Sequence, residues 1–235
     1  MKLFRDTRQS LIMEKNLKRY LLYALGEILL VVVGISLAFQ LDNWNEDRVK
    51  RNTEISYYNN IRDQILDDKN LINSQMEFNN FYRLEFDYAN DLIETNDKSK
   101  MDTLGIIIRN MVQYSDFDRE GNIYETLVNS GEIKILRNDD IVQGIRELEE
   151  RYIYVNRMES IHYDAMMNHV IESIKHRIKF TTGEITRPED VFNYEFQNLL
   201  IMLLQIMNEK DEVYHKALDQ IEIVKKLIDE ELHIQ

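Results

Sequence analysis

The chain has 235 residues, which is enough for one sizeable domain or for one domain and a membrane segment. It carries 42 acidic residues against 29 Lys and Arg, a formal net charge of −13, and this balance argues against a nucleic-acid-binding protein. It has no Cys, which excludes disulfides, thiolate catalysis and Cys-based zinc sites. One Pro and seven Gly provide few of the turns that an all-β fold needs, so the composition favours helices.

An apolar segment near the N-terminus, Leu21 to Leu41, is the clearest feature of the sequence. Only Glu27, Ser36 and Gln40 in it are overtly polar. As a helix it would be about 31 Å long, which matches the hydrocarbon core of a bilayer. The residues after Ala38 fit a small-x-small cleavage site poorly, so we predict an uncleaved transmembrane anchor and not a signal peptide.

The charges on either side of this segment predict its orientation. Residues 1–20 contain six Lys or Arg and two acidic residues, a net charge of +4, whereas residues 42–51 have a net charge of zero. The positive-inside rule therefore places the N-terminus in the cytoplasm. In a Gram-negative cell this gives a cytoplasmic basic tail (1–20), an inner-membrane anchor (21–41) and a periplasmic helical domain (42–235).

Apolar periodicity predicts an all-α fold in which the single transmembrane helix continues into an elongated helical bundle. The pattern does not decide whether the chain turns at residues 73–75 or 79–80. The first clear loop is Asn96–Ser99. The segments predicted after it are a helix from Met101 to Tyr114, a polar break at 115–122, a helix from Ile123 to Asn129 capped by Gly131, an extended piece at 132–136, a helix from Asp140 to Lys179 capped by Asn138 or Asp139, and a helix from Pro188 to Leu232.

The two long C-terminal helices each have an apolar face. In the last helix, apolar residues repeat at intervals of three and four for four heptads, and Lys210 alone interrupts them. This face is predicted to form either a bundle core or a coiled-coil interface between chains. A dense aromatic group earlier in the chain is interpreted as core, with a pocket or docking surface as the alternative: Phe78, Phe81, Tyr82, Phe86 and Tyr88.

The anchor resembles that of a bacterial family of short single-span membrane proteins classed only as a domain of unknown function. The similarity is carried by Gly26-Glu27 near the start of the span and by Asn43–Glu46 just after it. Tyr124–Gly131 resembles the second recognisable block of the family, whereas Asp42 stands where a neutral residue is expected. The resemblance implies a helical membrane-anchored protein over most of the chain, and it implies no activity, substrate or catalytic residue.

Glu27 is the most unusual residue of the predicted span, because an intramembrane carboxylate usually faces protein or water. Gly34 and Ala38 share its helix face and form a small-xxx-small pair that allows close helix packing. We therefore expect Glu27, Gly34 and Ala38 to lie in an oligomer interface, with Trp44 at the membrane surface. The alternative is an ion-coupled accessory subunit, similar in layout to proton-driven stator subunits, in which Glu27 handles the ion.

Three Glu-x-x-His pairs match the spacing used in di-iron bundles: Glu159/His162, Glu212/His215 and Glu230/His233. So short a pattern arises easily by chance in an acidic helical chain. His162, His169 and His176 recur every seven residues and should share one helix face, about 10.5 Å apart, which is too far for one metal ion within one chain. A periplasmic metalloprotein is kept as a second alternative.

The preferred hypothesis is a non-enzymatic protein: an inner-membrane-anchored, periplasmic helical scaffold, sensor or interaction module. The expected partners are the lipid bilayer and either further copies of the chain or another membrane protein, and no nucleic acid. No catalytic, cofactor-binding or metal-binding residue is predicted, because Ser130 and Ser160 lack a Gly-x-Ser-x-Gly setting and no phosphate-binding glycine loop occurs.

Overall fold

The computed structural model describes residues 17–119 and 121–233, with side chains from residue 21 onward. The predicted basic tail, residues 1–20, therefore lies almost wholly outside the described residues. Most of the described chain is helical, so the all-α prediction is confirmed. The elements are α1 (Leu17–Glu94), α2 (Met101–Asn110), α3 (Ile123–Ser130), α4 (Asp139–Ala165), a π-helical turn (Met166–Val170), α5 (Ile171–Ile174), β1 (Ile178–Lys179), β2 (Glu184–Ile185), α6 (Pro188–Val191) and α7 (Tyr194–His233), with 3-10 turns at Lys98–Lys100 and Glu132–Ile135.

The chain divides into two units, residues 1–54 and 55–235. In the first unit, α1 carries the apolar segment, and its Leu, Ile, Val and Phe side chains from Leu21 to Leu41 are exposed, whereas Tyr23, Ala24 and Glu27 are partly covered. No residue of its most apolar stretch is buried, and α1 is long and apolar enough to cross a membrane. The exposure distinguishes this segment from a core helix of a soluble domain, whose apolar face is covered by protein.

The second unit is built on α4, α7 and the C-terminal part of α1. Asn138 donates to Glu231 at 2.8 Å and Gln220 donates to the carbonyl of Gly144 at 3.1 Å, so α4 and α7 run antiparallel. The two helices approach closely at Gly144, where a Cβ atom would lie 3.2 Å from Val224.

The second unit contains two hydrophobic cores. The first joins α1 residues 58–72 to the N-terminal half of α4 and the C-terminal half of α7. The second joins α1 residues 86–93 to α2, the segment 165–185 and the N-terminal half of α7. The predicted inner faces of α4 and α7 are confirmed, since every apolar residue assigned to them is buried.

Several helix boundaries differ from the prediction. The helix predicted to reach Lys179 ends at Ile174, because Ile178 pairs with Ile185 in a short antiparallel ribbon and both residues enter the second core. The ribbon turns at Gly183, where φ is 77° and the backbone packs against α2 so closely that a Cβ on Gly105 would lie 1.9 Å from the Gly183 carbonyl oxygen. Tertiary packing therefore overrides the local helical pattern.

Three other boundaries are also corrected. The helix predicted to run to Tyr114 ends at Asn110, and residues 132–135 form a 3-10 turn instead of an extended piece. The helix predicted from Pro188 is interrupted after Val191, and the Asn193 side chain accepts a hydrogen bond from the Phe196 amide at 2.9 Å where α7 begins.

The capping predictions are confirmed. The Asn138 side chain accepts hydrogen bonds from the amides of Asp140 and Ile141 at the start of α4. Gly131 ends α3 in the left-handed conformation, with φ 75°. No turn interrupts residues 73–80, which lie inside α1.

The aromatic group on α1 is only partly core. Phe86 is fully buried, whereas Phe81 and Tyr88 are exposed, together with Leu84. The buried positions of this part of α1 are instead Asn79, Phe86, Ala89, Leu92 and Ile93. The sequence pattern predicts that the face with Phe81 and Tyr88 is buried, but α2 and α7 pack against the neighbouring face, which carries Phe86, Ala89 and Ile93.

Candidate functional site

A layer of polar side chains lies between the two hydrophobic cores. The first core ends at Val155 on α4 and Tyr214 on α7, and the second begins at Ala165 and Met207 on the same helices. Between these limits, the buried side chains are polar, and we call them the polar layer: Asn79, Ser115, Glu159, His162 and Lys210.

These side chains face the interior because they occupy the buried positions of the α4 and α7 helical repeats and of the alternating segment 113–119. Glu159 and His162 continue the buried face of α4, and Lys210 occupies an inner position of α7 between Met207 and Tyr214. Residues 113–119 have no helical structure and alternate, so that Ser115 and Phe117 are buried while Asp116 and Asp118 are exposed.

Lys210 is the most deeply buried charge of the layer. Its Nζ lies 2.8 Å from His162 Nδ1 and donates to the Ser115 carbonyl at 3.3 Å. Burial lowers the pKa of Lys210 to about 8, against the opposing effect of the acidic groups Glu159, Asp211 and Asp116. Since an ammonium group only donates, we assign the proton of neutral His162 to Nε2.

Burial, followed by the charge of Lys210, lowers the pKa of His162 to about 3. His162 is therefore neutral at physiological pH. Its Nε2 is buried and has no hydrogen-bond partner among the described residues. The Tyr114 ring lies edge-on to the imidazole, with 6.3 Å between the ring centres.

Glu159 connects the polar layer to the surface. Its Oε1 accepts a hydrogen bond from the Phe117 amide at 2.7 Å and a second one from the Tyr214 hydroxyl. Burial raises the pKa of Glu159 above its usual range, although both hydrogen bonds and Lys210 favour the carboxylate. Oε2 accepts no hydrogen bond from the described residues, so this carboxyl group keeps one oxygen available.

The segment 113–119 is held in place at several points. The Asp116 amide donates to Gln75 on α1 at 3.0 Å. Arg119 forms a bidentate pair with Glu149 on α4 at 3.0 and 2.5 Å, and its guanidinium lies 4.5 Å from the centre of the Tyr152 ring. These contacts fix Asp116 and Asp118 relative to α4.

An open groove of about 740 Å³ lies between this segment and α4, and Glu159 is part of its lining. Four carboxylates and three aromatic rings line it, and none of the Lys, Arg or His residues that the structure describes does. These residues are Asp116, Asp118, Glu159 and Asp164, with Tyr114, Phe117 and Tyr163, and the polar Asn156 and Ser160 complete the lining. The groove is chemically suited to a cation.

Comparison with known proteins places the chain in a family whose function is unknown. The model of a family of unknown function, DUF6090, matches residues 27–226, which is most of the chain. The chain belongs to this family. No curated protein and no solved structure matches it. The DUF6090 match confirms the expected membership of an uncharacterised family. It includes Asn43–Glu46 and Tyr124–Gly131, and it begins one residue after Gly26.

The structure of this DUF6090 protein brings together one of the three predicted Glu-x-x-His pairs. Glu159 and His162 both lie in the polar layer, but each is engaged by a different α7 side chain, Tyr214 and Lys210. Glu212, His215, Glu230 and His233 are on the exposed surface of α7. Within residues 17–119 and 121–233, no group of three or more His, Asp or Glu side chains is arranged to hold a metal ion.

The prediction that three histidines share one face is wrong. His162 is buried, whereas His169 and His176 are exposed. The π-helical turn at Met166–Val170 contains i→i+5 hydrogen bonds, which rotate the following residues relative to an α-helix. After His162 the buried residues are Ala165 and Met166, followed at intervals of four by Val170 and Ile174.

The predicted interface residues of the span are exposed within the chain itself. Gly34, Ala38 and Trp44 are exposed, and Glu27 is partly covered. A Cβ atom at Gly34 would meet nothing within 4 Å, so one helix alone does not require a small residue there. The Arg48 guanidinium lies 5.4 Å from the centre of the Trp44 ring. Their role in an oligomer stays a prediction.

Sequence reasoning missed the polar layer as a unit. A signal was available, because Lys210 occupies an inner position of α7 and Glu159 and His162 occupy inner positions of α4. Three buried ionisable groups on two long helices need partners, and pairing them with each other satisfies that need. Ser115 gave no such signal.

Proposed function

We propose that this DUF6090 protein is a non-enzymatic, single-span inner-membrane protein whose periplasmic helical domain acts as an oligomeric scaffold or sensor. The observation that carries the proposal is the apolar segment from Leu21 to Leu41, of which no residue is buried and whose apolar surface needs a bilayer to cover it. Its flanking charges support a cytoplasmic N-terminus. Since the same helix α1 continues into the packed domain, a shift of that helix offers a route for a signal.

The absence of Cys allows a direct test of the membrane topology. A single Cys is introduced at the exposed Thr181 in one variant and at Ser10 in the basic tail in another. A membrane-impermeant maleimide added to cells with a permeabilised outer membrane should label Thr181→Cys and leave Ser10→Cys unlabelled until the inner membrane is lysed. The opposite pattern would reverse the topology, and labelling of both variants in a soluble fraction would exclude the anchor.

The oligomer is tested by native mass spectrometry of the full-length protein in mild detergent. Gly34→Leu and Ala38→Leu should reduce the oligomeric mass, because bulky residues on that face prevent close helix approach. Ser36→Leu is the matched control, since Ser36 is also exposed but lies on the opposite face of the helix. An unchanged mass in all three variants would refute helix packing at Gly34 and Ala38.

The ion-coupled alternative makes a different prediction for the same preparation. It expects a multi-span protein to co-purify with the chain, and it expects Glu27→Gln to keep this assembly while abolishing function. If Glu27 has only a packing role, Glu27→Gln should change the assembly itself.

A further inference from the structure

His162 and Lys210 share a buried position that holds a single positive charge. Both side chains are completely buried, and Lys210 Nζ lies 2.8 Å from His162 Nδ1. The Lys210 ammonium group can donate to this nitrogen only while the imidazole is neutral. A proton on His162 would place two cations in contact in the protein interior, where like charges repel more strongly than in water. The packed polar layer therefore excludes the protonated form of His162.

The other charged groups around this pair do not compensate a proton on His162. The acidic groups that act on Lys210 are Glu159 on α4, Asp211 on α7 and Asp116 on the segment 113–119. Burial, followed by the charge of Lys210, lowers the pKa of His162, and none of these carboxylates opposes that shift. The remaining polar side chains around the pair are uncharged at neutral and mildly acidic pH: Asn79 on α1, Tyr114 and Ser115 on the segment, and Tyr214 on α7.

The segment 113–119 covers this pair and is attached through few contacts. Its Tyr114 ring lies 6.3 Å from the imidazole, centre to centre, and its Ser115 carbonyl oxygen lies 3.3 Å from Lys210 Nζ. The segment, which lies wholly within the described residues, has no helical or strand structure, and Phe117 alone of its side chains belongs to a hydrophobic core. On its outer side, the groove of about 740 Å³ separates it from α4. A segment with so few buried apolar contacts opens at a lower free energy than the helices around it.

Lys210 is the link between His162 and this segment. Its Nζ contacts the imidazole on one side and donates to the Ser115 carbonyl on the other. If a proton on His162 displaces Lys210, the Ser115 carbonyl loses this donor, and an unsatisfied polar group is unfavourable inside the domain. Protonation of His162 therefore weakens the attachment of the segment to α7.

The two ends of the segment are held independently of Lys210. Before it, α2 ends at Asn110, and at its far end Arg119 donates to Glu149 on α4 at 3.0 and 2.5 Å. Between these points, the amides of Asp116 and Phe117 donate to side chains of α1 and α4 at 3.0 and 2.7 Å. The middle of the segment can therefore move away from the domain while its ends stay in place.

We propose that His162 is a proton-triggered release for the segment 113–119: a proton on its imidazole drives Lys210 away, and the middle of the segment moves off α4 and α7. The inference supplies a stimulus, mild acid, for the sensor function proposed above, and it rests on that function for its biological meaning. Release itself is a property of the helical domain and requires neither a particular membrane topology nor an oligomer, so the two ideas fail separately.

Hydrogen exchange of the full-length protein in mild detergent, followed by mass spectrometry at pH 7, 6 and 5, tests the release. The reporters are the amides of Asp116 and Phe117, which are hydrogen-bonded in the closed segment. Each exchange rate is divided by the intrinsic rate at that pH to give an opening constant. At every pH these amides should exchange at least about tenfold faster than those of residues 141–148 in the first core, which exchange when the whole domain unfolds.

His162→Asn provides the comparison because Asn accepts a hydrogen bond from Lys210 without titrating. The pKa of His162 is about 3 in the closed layer and returns toward 6.5 on release, so acid favours the open segment. From pH 7 to pH 5, the opening constant of wild type relative to that of the variant should rise about 25-fold. Glu159 opposes this effect because burial raises its pKa, but it does so in both proteins.

His169→Asn is the matched control, because it removes an exposed histidine close to His162 in the chain and should keep the wild-type dependence on pH. If His162→Asn does not fold, His162→Gln takes its place. The proposal is overturned if the wild-type segment is no more open at pH 5 than at pH 7, or if His162→Asn shows the same dependence on pH as wild type. It is also overturned if the reporter amides exchange no faster than residues 141–148, because the segment would then open only when the domain unfolds.

Discussion

His162 is expected to make the helical domain less stable in mild acid, and replacing it by Asn should remove most of that dependence on pH. Burial and the neighbouring charge of Lys210 hold the pKa of His162 at about 3 in the folded protein, whereas an unfolded chain has a value near 6.5. Between these values the unfolded chain binds the proton and the folded domain does not. The free energy of unfolding must therefore fall as the pH drops below about 6.5.

The size of the effect follows from the two pKa values. Each pH unit between them lowers the free energy of unfolding by about 1.4 kcal/mol, so the change from pH 6.5 to pH 5 is about 2 kcal/mol. Glu159 acts in the opposite direction because its pKa is raised on folding, but it is present in both proteins. The difference between wild type and variant therefore isolates the contribution of His162.

His162→Asn is the appropriate variant because its side-chain oxygen can replace Nδ1 as the acceptor for Lys210 without titrating. Full-length protein in mild detergent is unfolded with urea at pH 7, 6 and 5 and followed by far-UV circular dichroism. Wild type should lose about 2 kcal/mol more than the variant over this range. Parallel pH profiles for the two proteins would show that His162 binds its proton equally well in the folded and unfolded states, and would refute the assigned network.

Two further predictions concern backbone geometry and capping. Gly105→Ala should destabilise the domain by about 1–3 kcal/mol because its Cβ would lie 1.9 Å from the Gly183 carbonyl oxygen. Gly144→Ala should stay within about 1 kcal/mol of wild type, because the atoms nearest to its Cβ belong to movable side chains and the closest, a Val224 methyl group, lies at 3.2 Å. Thermal melting of both variants checks this, and equal melting temperatures would contradict it. Asn138→Ala should cost about 1 kcal/mol or more, because it removes both the α4 cap and the hydrogen bond to Glu231. Asn138→Ser keeps an acceptor for the cap and should restore part of the loss; if both variants melt together, the cap is not the cause.

Much of the fold could be predicted from the sequence because the signals are local. An uninterrupted apolar segment from Leu21 to Leu41 indicates a membrane span, and three- and four-residue spacing places the inner faces of α4 and α7. Asn138 marks the start of α4 because its side chain accepts hydrogen bonds from the first helical amides. Gly131 marks the end of α3 because glycine readily adopts the left-handed conformation found there. Each of these properties depends on residues only a few positions apart in the chain.

The candidate site could be predicted only in part. Its residues come from four separate segments of the chain. The sequence does not state that Ser115 and Phe117 reach α4 and α7. The Glu-x-x-His spacing correctly marked Glu159 and His162 as facing inward but suggested a metal, whereas each of them is instead paired with an α7 side chain. Partner identity depends on contacts between distant segments, which no spacing within one helix encodes.

By itself the sequence determined the helical class, the exposed apolar span, the acidic charge and the inward positions of Glu159, His162 and Lys210. Only the tertiary structure decided that these three side chains meet in one layer between two cores, that a π-helical turn moves His169 away from the face of His162, and that an acidic groove opens beside Glu159. The physical reason is that helix formation and burial follow from local pattern. The environment of a buried charge is set by whichever distant residues pack against it.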